Sequence, residues 1–172
     1  MKAKRASETL SITTKVVLPN DTNTLGNLFG GQLLAWMDVI ASVSAHRHSK
    51  RVVVTASVNH VSFQRPIKHA SIVTLEAKVS RAFSSSMEIF VDVFVEDQVT
   101  GEREKCNEAI YTFVAVDQNG GPIQVPELIP ETDEEKARYE GALRRKQLSL
   151  ILAGKIKATE ATELKKLFLE GE

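Results

Sequence analysis

The sequence predicts an α+β domain in which an antiparallel β-sheet wraps around one long central α-helix, and three observations lead there. Apolar residues alternate with a period of two along Val73, Leu75, Ala77 and Val79, and again along Met87, Ile89, Val91, Val93 and Val95, as half-buried strands require. Only one early segment is helical in its periodicity. From Gly30-Gly31 to about His46, Leu33, Met37, Ile40, Ala41 and Ser44 share one face at about 100° per residue, bordered by Trp36 and Val43 on one side and Leu34 and Ala45 on the other. An arc this wide needs a sheet around it. Finally, all the strand-like segments but the first follow that helix rather than alternating with further helices, which favours an antiparallel sheet over βαβ units.

The elements follow in order. Leu10 to Leu18 reads as an edge strand and Val52 to Phe63 as a strand after the helix. Ile72 to Val79 leads into a Ser84-Ser85-Ser86 turn and the Met87 to Val95 strand, whose other face, Glu88, Phe90, Asp92, Phe94 and Glu96, is mixed polar and aromatic. Asp97 to Glu102, with Thr100-Gly101, is a hairpin turn, and Ala109 to Val116 is apolar on both faces, as a strand covered twice would be. Composition changes at Gly120-Gly121-Pro122. Residues 1–120 are therefore read as the domain and 121–172 as a connector with Pro122, Pro126 and Pro130 followed by a helical tail. The tail holds a helix from Glu131 to Leu150, opened by Thr132-Asp133-Glu134-Glu135, and a second short helix from Glu160 to Leu169.

A chain of 172 residues suits one compact domain plus a tail. Twenty-two Lys and Arg balance twenty-two Asp and Glu, so no net field draws it to nucleic acid or an anionic membrane, and any phosphate it holds must be met by local cations. The longest apolar stretch, about Leu33 to Ala45, is too short to span a bilayer and contains Asp38. No apolar run follows Lys2, Lys4 and Arg5, and the lone Cys106 suits a reducing, cytoplasmic setting. No metal site is expected: His46 and His48, two apart on a helix, face apart, and are expected to complement the helix C-terminus with Arg47, Lys50 and Arg51. Cys106 has no nucleophile pattern around it, and Ser84 to Ser86 lack the Gly-x-Ser-x-Gly setting of a serine hydrolase.

Chemistry concentrates in Asn27-Leu28-Phe29-Gly30-Gly31, continuing to Asp38. A glycine pair at a helix start admits a ligand close to the backbone, and the free N–H groups there stabilise developing negative charge, as on a polarised carbonyl. Asp38, at the rim of the buried arc, is placed to act as base or nucleophile, and Asn27 to orient a water or a carbonyl. The bland reading gives the glycines to a tight turn, Asn27 to its cap and Asp38 to a structural hydrogen bond.

The segments "TLGNLFGGQLLAWMD", "SAHRHS", "VNHVSFQRPI", "SRAFSSSMEIFVDVFVED" and "NEAIYTFVAVD" resemble, over roughly residues 8–120, the hotdog-fold acyl-CoA thioesterases related to brain-type cytosolic acyl-CoA hydrolase and its small bacterial relatives. The resemblance implies a hotdog fold and hydrolysis of acyl-CoA to acid and CoA with no cofactor, CoA being part of substrate and product. It implies that Asn27 and Asp38 form the catalytic pair, contributed by different subunits of a homodimer, and that N–H groups of Gly30 or Gly31 polarise the thioester carbonyl. Relatives of this kind form trimers of dimers. Candidates for holding CoA are Arg65 and Lys68, Arg81, the Ser84, Ser85 and Ser86 turn, and His60 on its strand. One departure stands out: relatives often place Gly-Asp after the Pro-Ile turn, where this chain has His69-Ala70. Two other readings are a non-catalytic acyl-CoA-binding module and a hotdog hydratase or dehydratase, which would need a catalytic His that His46 is poorly placed to supply.

Overall fold

The computed structural model describes residues 1–169. In chain order the elements are β1 (Lys4–Arg5), β2 (Ser11–Val16), α1 (Gly30–Ser49), β3 (Val52–Phe63), β4 (Ile72–Ala82), β5 (Ser86–Glu96), β6 (Arg103–Val116), β7 (Leu128–Ile129), α2 (Asp133–Leu152) and α3 (Thr162–Leu169), with short 3-10 turns between some of them. Two compact units result, residues 1–129 and 130–172.

In the first unit β2, β4, β5, β6 and β3, in that order, form a five-stranded sheet, every neighbouring pair antiparallel. The register places Val73, Leu75, Ala77 and Val79 of β4 on the same face as Met87, Ile89, Val91 and Val93 of β5 and Ala109, Tyr111 and Phe113 of β6, and all are buried. Against this face lies α1, burying Leu33, Met37, Ile40, Ala41 and Ser44, the arc its periodicity predicts. That the period-two and helical patterns meet on one surface is why the helix is so apolar: it is covered along most of one side.

Three boundaries differ from the sequence reading. β6 begins at Arg103, six residues before Ala109, because backbone pairing with β5 continues straight from the hairpin, with Glu96 opposite Arg103. Ladder bonds need no apolar side chains, so the polar Arg103–Glu108 stretch hides the strand. In the hairpin the Asp97 carboxylate accepts the N–H groups of Val99 and Thr100, and Gly101 takes φ +72°. The first unit also runs to Ile129 rather than to residue 120. Beyond the Gly120-Gly121 turn, Ile123 N–H donates to Ala115 O, Val125 N–H to Ser84 O and Lys4 N–H to Glu127 O, and β7 pairs with β1 in parallel. The Pro residues signal an irregular path but not the sheet end along which it runs. The mixed outer face of β5 is in part buried, Glu88 included, where Ser80 Oγ donates to Glu88 Oε1 at 2.6 Å.

α1 continues to Ser49, three residues past the expected end, and stops where Lys50 turns left-handed at φ +54°. His48 does not complement this terminus. Its ring is fully buried, with Nε2 2.7 Å from the carbonyl oxygen of Pro126. The terminal carbonyls of Arg47 and His48 are met instead by Lys4 Nζ at 2.8 and 2.7 Å, a distant cation doing what the neighbouring ones were expected to do.

The second unit is a helix pair. Thr132 Oγ1 accepts the N–H of Glu135 while Glu135 Oε2 accepts the N–H of Thr132, a reciprocal cap that starts α2 as the Thr-x-x-Glu spacing predicts. Gln147 Oε1 on α2 accepts the N–H groups of Glu163 and Leu164 and so caps α3 from the side.

Candidate active site

α1 opens with Phe29 in extended conformation at its N-cap and no side-chain cap. The N–H groups of Gly30, Gly31 and Gln32 have no intrahelical acceptor, and no other described group accepts from them. Three donors thus point off the positive end of a twenty-residue helix. Neither glycine needs a positive φ, and a Cβ at Gly30 or Gly31 would only touch the Phe63 ring at 3.5 Å or the Phe29 ring at 3.7 Å, ordinary contact. Nothing within the chain requires glycine at these positions. Without a side chain at either position, the backbone N–H groups of the helix start are open to close approach.

The loop before the helix is fixed by its own bonds. Asn23 N–H donates to Asn27 O at 2.8 Å, Gly26 N–H donates to Asn23 O at 2.9 Å, and Gly26 turns at φ +71°. Asn23 Oδ1 accepts the N–H groups of Leu25 and Asn27, at 2.9 and 3.2 Å. Those two bonds define which end of the amide is oxygen, and leave its NH2 without a partner among the described residues. The loop is fastened to the segment after β3: Leu28 N–H donates to Ile67 O, His69 N–H to Gly26 O, and Asn27 bridges Lys68. Between them lies a cleft of about 360 Å³ lined by Asn23, Asn27, Gly30, Phe63, Arg65 and the buried Asn107, among others. Asn107 Oδ1 accepts the N–H of Gln64 at 2.9 Å, pinning the cleft wall.

Asp38 lies eight residues into α1 from Gly30, about 12 Å along the axis. Its Oδ1 accepts the Thr55 hydroxyl of β3 at 2.8 Å, while Oδ2 has no partner among the described residues. A carboxylate held at one oxygen and open at the other has the geometry that a general base or nucleophile needs. Close by, burial first and the Asp38 charge second push the Tyr111 phenol well above its usual range, so it stays neutral and keeps its proton to donate.

The structure brings Asn27, Gly30 and Arg65 to one cleft, with Lys68 bridging Asn27 beside it. It does not bring Asp38 to that cleft within one chain. Arg65 pairs with Glu104 at 2.6 Å, both exposed, and His60 stands 3.4 Å from Glu108 with φ +49° at a strand irregularity. Arg81, packed over the Phe83 ring, and Ser84 to Ser86 lie at the other end of the sheet. From Ser86, opposite Val114, to Val93, opposite Asn107, is seven residues or about 23 Å, so one chain cannot place them on the same small ligand group as the helix start. Sequence reasoning missed Asn23, Thr55 and Asn107. Asn23 had a signal, the Asn-x-x-Gly turn spacing of Asn23 and Gly26; Thr55 and Asn107 reach their partners only through β3 and β6. Among the described residues no three His, Cys, Asp or Glu side chains gather as metal ligands, and no helix is long and apolar enough to cross a membrane.

Five antiparallel strands curled over one long helix, with the polar groups collected on that helix and its entry loop, make a hotdog fold with an enzyme-like site. The family model of the thioesterase superfamily matches residues 25–102. The chain is 46% identical over 138 residues to the Bacillus subtilis protein named uncharacterized acyl-CoA thioester hydrolase YkhA, covering 80% of each. It also matches mouse acyl-coenzyme A thioesterase 11 at 38% identity, spanning 24% of that longer protein. Among solved structures, an apo-hexameric acyl-CoA thioesterase superposes with TM-score 0.85 at 39% identity, over 89% of this chain and 98% of that one. The acyl-CoA hydrolase of Staphylococcus aureus, solved with butyryl coenzyme A, coenzyme A and coenzyme A disulfide, superposes with TM-score 0.83 at 36% identity, over 94% and 98%. The same enzyme has been solved with alanine in place of an asparagine, of an aspartate fifteen residues later, and of a threonine seventeen residues after that. The chain belongs to the thioesterase superfamily.

Proposed function

We propose that this protein is an acyl-CoA thioesterase that hydrolyses acyl-coenzyme A to the free acid and coenzyme A without a cofactor. The observation that carries this reading is the Asp38 carboxylate, fixed at Oδ1 by Thr55 and open at Oδ2, on the same helix whose uncapped start presents free N–H groups. Relatives and solved structures named as acyl-CoA hydrolases support it. The thioester carbonyl lies against Gly30 or Gly31, where the N–H donors take up negative charge as the carbonyl carbon is attacked. Asp38 Oδ2 either draws a proton from water or attacks the carbon itself; both routes require the same free oxygen.

The amide partner in this reading is Asn23 rather than Asn27. Asn23, Asp38 and Thr55 are separated by fifteen and seventeen residues, the spacing of the three positions replaced in the Staphylococcus aureus enzyme. The Asn23 NH2 is also held in a set orientation by the two bonds to its oxygen. Because roughly 12 Å of helix separates Asp38 from the cleft, one carboxylate and one cleft from different copies complete each site. The exposed apolar flank of the edge strand β3, with Val52 67% and Val58 42% exposed, offers the surface for a homodimer, and trimers of such dimers fit the hexameric relative. Arg81 and Ser84 to Ser86 belong to CoA binding only if the second copy brings them near Arg65 and Lys68.

The test is thiol release over acyl-CoAs from acetyl to palmitoyl. The native chain turns over at least part of the panel, Asp38→Ala loses about a hundredfold or more of kcat, and Asn23→Ala loses far more than Asn27→Ala. Full activity in folded Asp38→Ala would sink the assignment. Binding of acyl-CoA with no thiol release by the native chain would leave a binding module in its place.

A further inference from the structure

We propose that the Tyr111 hydroxyl is a positioning group for Asp38, tying the helix turn that carries the carboxylate to the sheet. Tyr111 is 1% exposed, on the inner face of β6, opposite Ile89 of β5 and Val58 of β3, and its ring stacks on Phe113 with centroids 6.4 Å apart. The ring's neighbours Ile89, Val58 and Phe113 are apolar, so a phenylalanine would keep those contacts. The hydroxyl instead crosses to α1 and donates to the carbonyl oxygen of Leu34 at 2.9 Å. Leu34 lies four residues before Asp38, so by the helical pattern the same oxygen accepts the Asp38 N–H. A carbonyl has two lone pairs, and here one serves the helix and the other the sheet.

Asp38 is thereby held at two points. Its side chain is bonded to Thr55 on β3, and the acceptor of its backbone N–H is bonded to Tyr111 on β6; the two strands are neighbours, with Thr55 paired to Phe113 two residues beyond Tyr111. With only the Thr55 bond the carboxyl could swing about its own torsions as the turn shifts. With both, the turn and the oxygen are referred to the same rigid pair of strands, which fixes where Oδ2 points. Displacement of a reacting group by about an ångström can cost up to about a hundredfold in rate, so a bond of this kind affects turnover more than folding. The phenol's raised pKa, from burial and the Asp38 charge, keeps it a neutral donor throughout the working range of the enzyme.

This inference rests on Asp38 being the reacting carboxylate, and the test separates the two claims. Tyr111→Phe leaves Leu34 O its helical donor and no buried group unpaired, so the variant folds with an unfolding midpoint only slightly below the parent's. Its kcat for acyl-CoA hydrolysis falls about fivefold or more while KM stays within about twofold. The Asp38 amide exchanges with solvent about fivefold faster. Combined with Thr55→Ala, the loss in kcat is smaller than the product of the two single losses, because both act through one carboxylate. Parent-like kcat with parent-like exchange at Asp38 overturns the proposal, as do losses that multiply strictly with Thr55→Ala. A native chain inert toward every acyl-CoA would sink the proposed function instead, and the Asp38 exchange rate would still decide whether the tether exists.

Discussion

At the scale of single residues, conformation rather than side-chain chemistry explains one oddity of the sequence. Ala70 sits at φ +64°, in the turn that follows Pro66 and Ile67. The turn is kept because Ala70 N–H donates to Val17 O and Ala70 O accepts from Gln98 Nε2 at 2.8 Å. Those bonds hold a left-handed alanine that costs roughly 1 kcal/mol against its Cβ. Ala70→Gly should therefore raise stability by about 0.5–1 kcal/mol in urea unfolding, with an unchanged or lower midpoint counting against the account. Burial pushes the Cys106 thiol up to about 11, and the side chain is 3% exposed. The native protein should resist alkylation at neutral pH and react once unfolded; rapid native labelling would contradict this. The two candidate amides teach the opposite lesson. Asn23 and Asn27 are four residues apart in one loop, both line the cleft, and only the hydrogen bonds to Asn23 Oδ1 distinguish a fixed NH2 from an unfixed one.

At the scale of elements, the C-terminus of α1 is a clamp assembled from three parts of the chain. Lys4 of β1 covers the last carbonyls, and His48 Nε2 donates to Pro126 O in the segment leading to β7. Its Nδ1 is buried without a partner, which suits a neutral ring whose Nδ1 is a bare lone pair and not a protonated one. Burial chiefly, with Lys4 adding to it against the opposing Pro126 bond and the Glu8 charge, lowers the His48 pKa below the ordinary histidine value. The sign follows: the unfolded chain takes up this proton at higher pH than the native one, so the contribution is full above about pH 6.5 and is lost as pH falls through the depressed native value. Thermal midpoints of the parent should fall more steeply below that pH than those of His48→Gln. Parallel curves would remove His48 from the explanation. Nothing in His46-Arg47-His48 betrays this; on the helix His48 is simply four residues beyond the buried Ser44.

At the scale of the whole molecule, the first unit ends in a strand with one open edge. β3 is twelve residues long, pairs only with β6 among the described residues, and exposes Val52, Val54 and Val58. A long apolar edge is an aggregation hazard unless a defined partner covers it. The site has the matching deficiency, its carboxylate and its cleft lying apart in one chain. Asp at both Val54 and Val58 sets like charges against the second copy, and should convert the assembly to monomer in sedimentation while abolishing thiol release, with little change in helical content. An intact assembly, or a fully active monomer, would overturn shared sites.

What the sequence determined by itself is local. Period-two runs, the apolar arc of α1, the Asp97–Glu102 hairpin and the Thr132 cap were all legible, because each rests on residues within a turn or a strand of one another. The glycine helix start and Asp38 were legible for the same reason. The tertiary structure decided everything that depends on elements meeting: that Thr55 and Tyr111 fix Asp38 from two strands, that His48 turns inward to Pro126, that β6 begins among polar residues, and that residues 121–129 close the first unit. Contacts between residues tens of positions apart leave no period in the sequence, since each partner is one side chain with no repeat to announce it. The separation of Asp38 from the cleft is set by the rise of a straight helix, and it is the ground for proposing that a second chain completes the site.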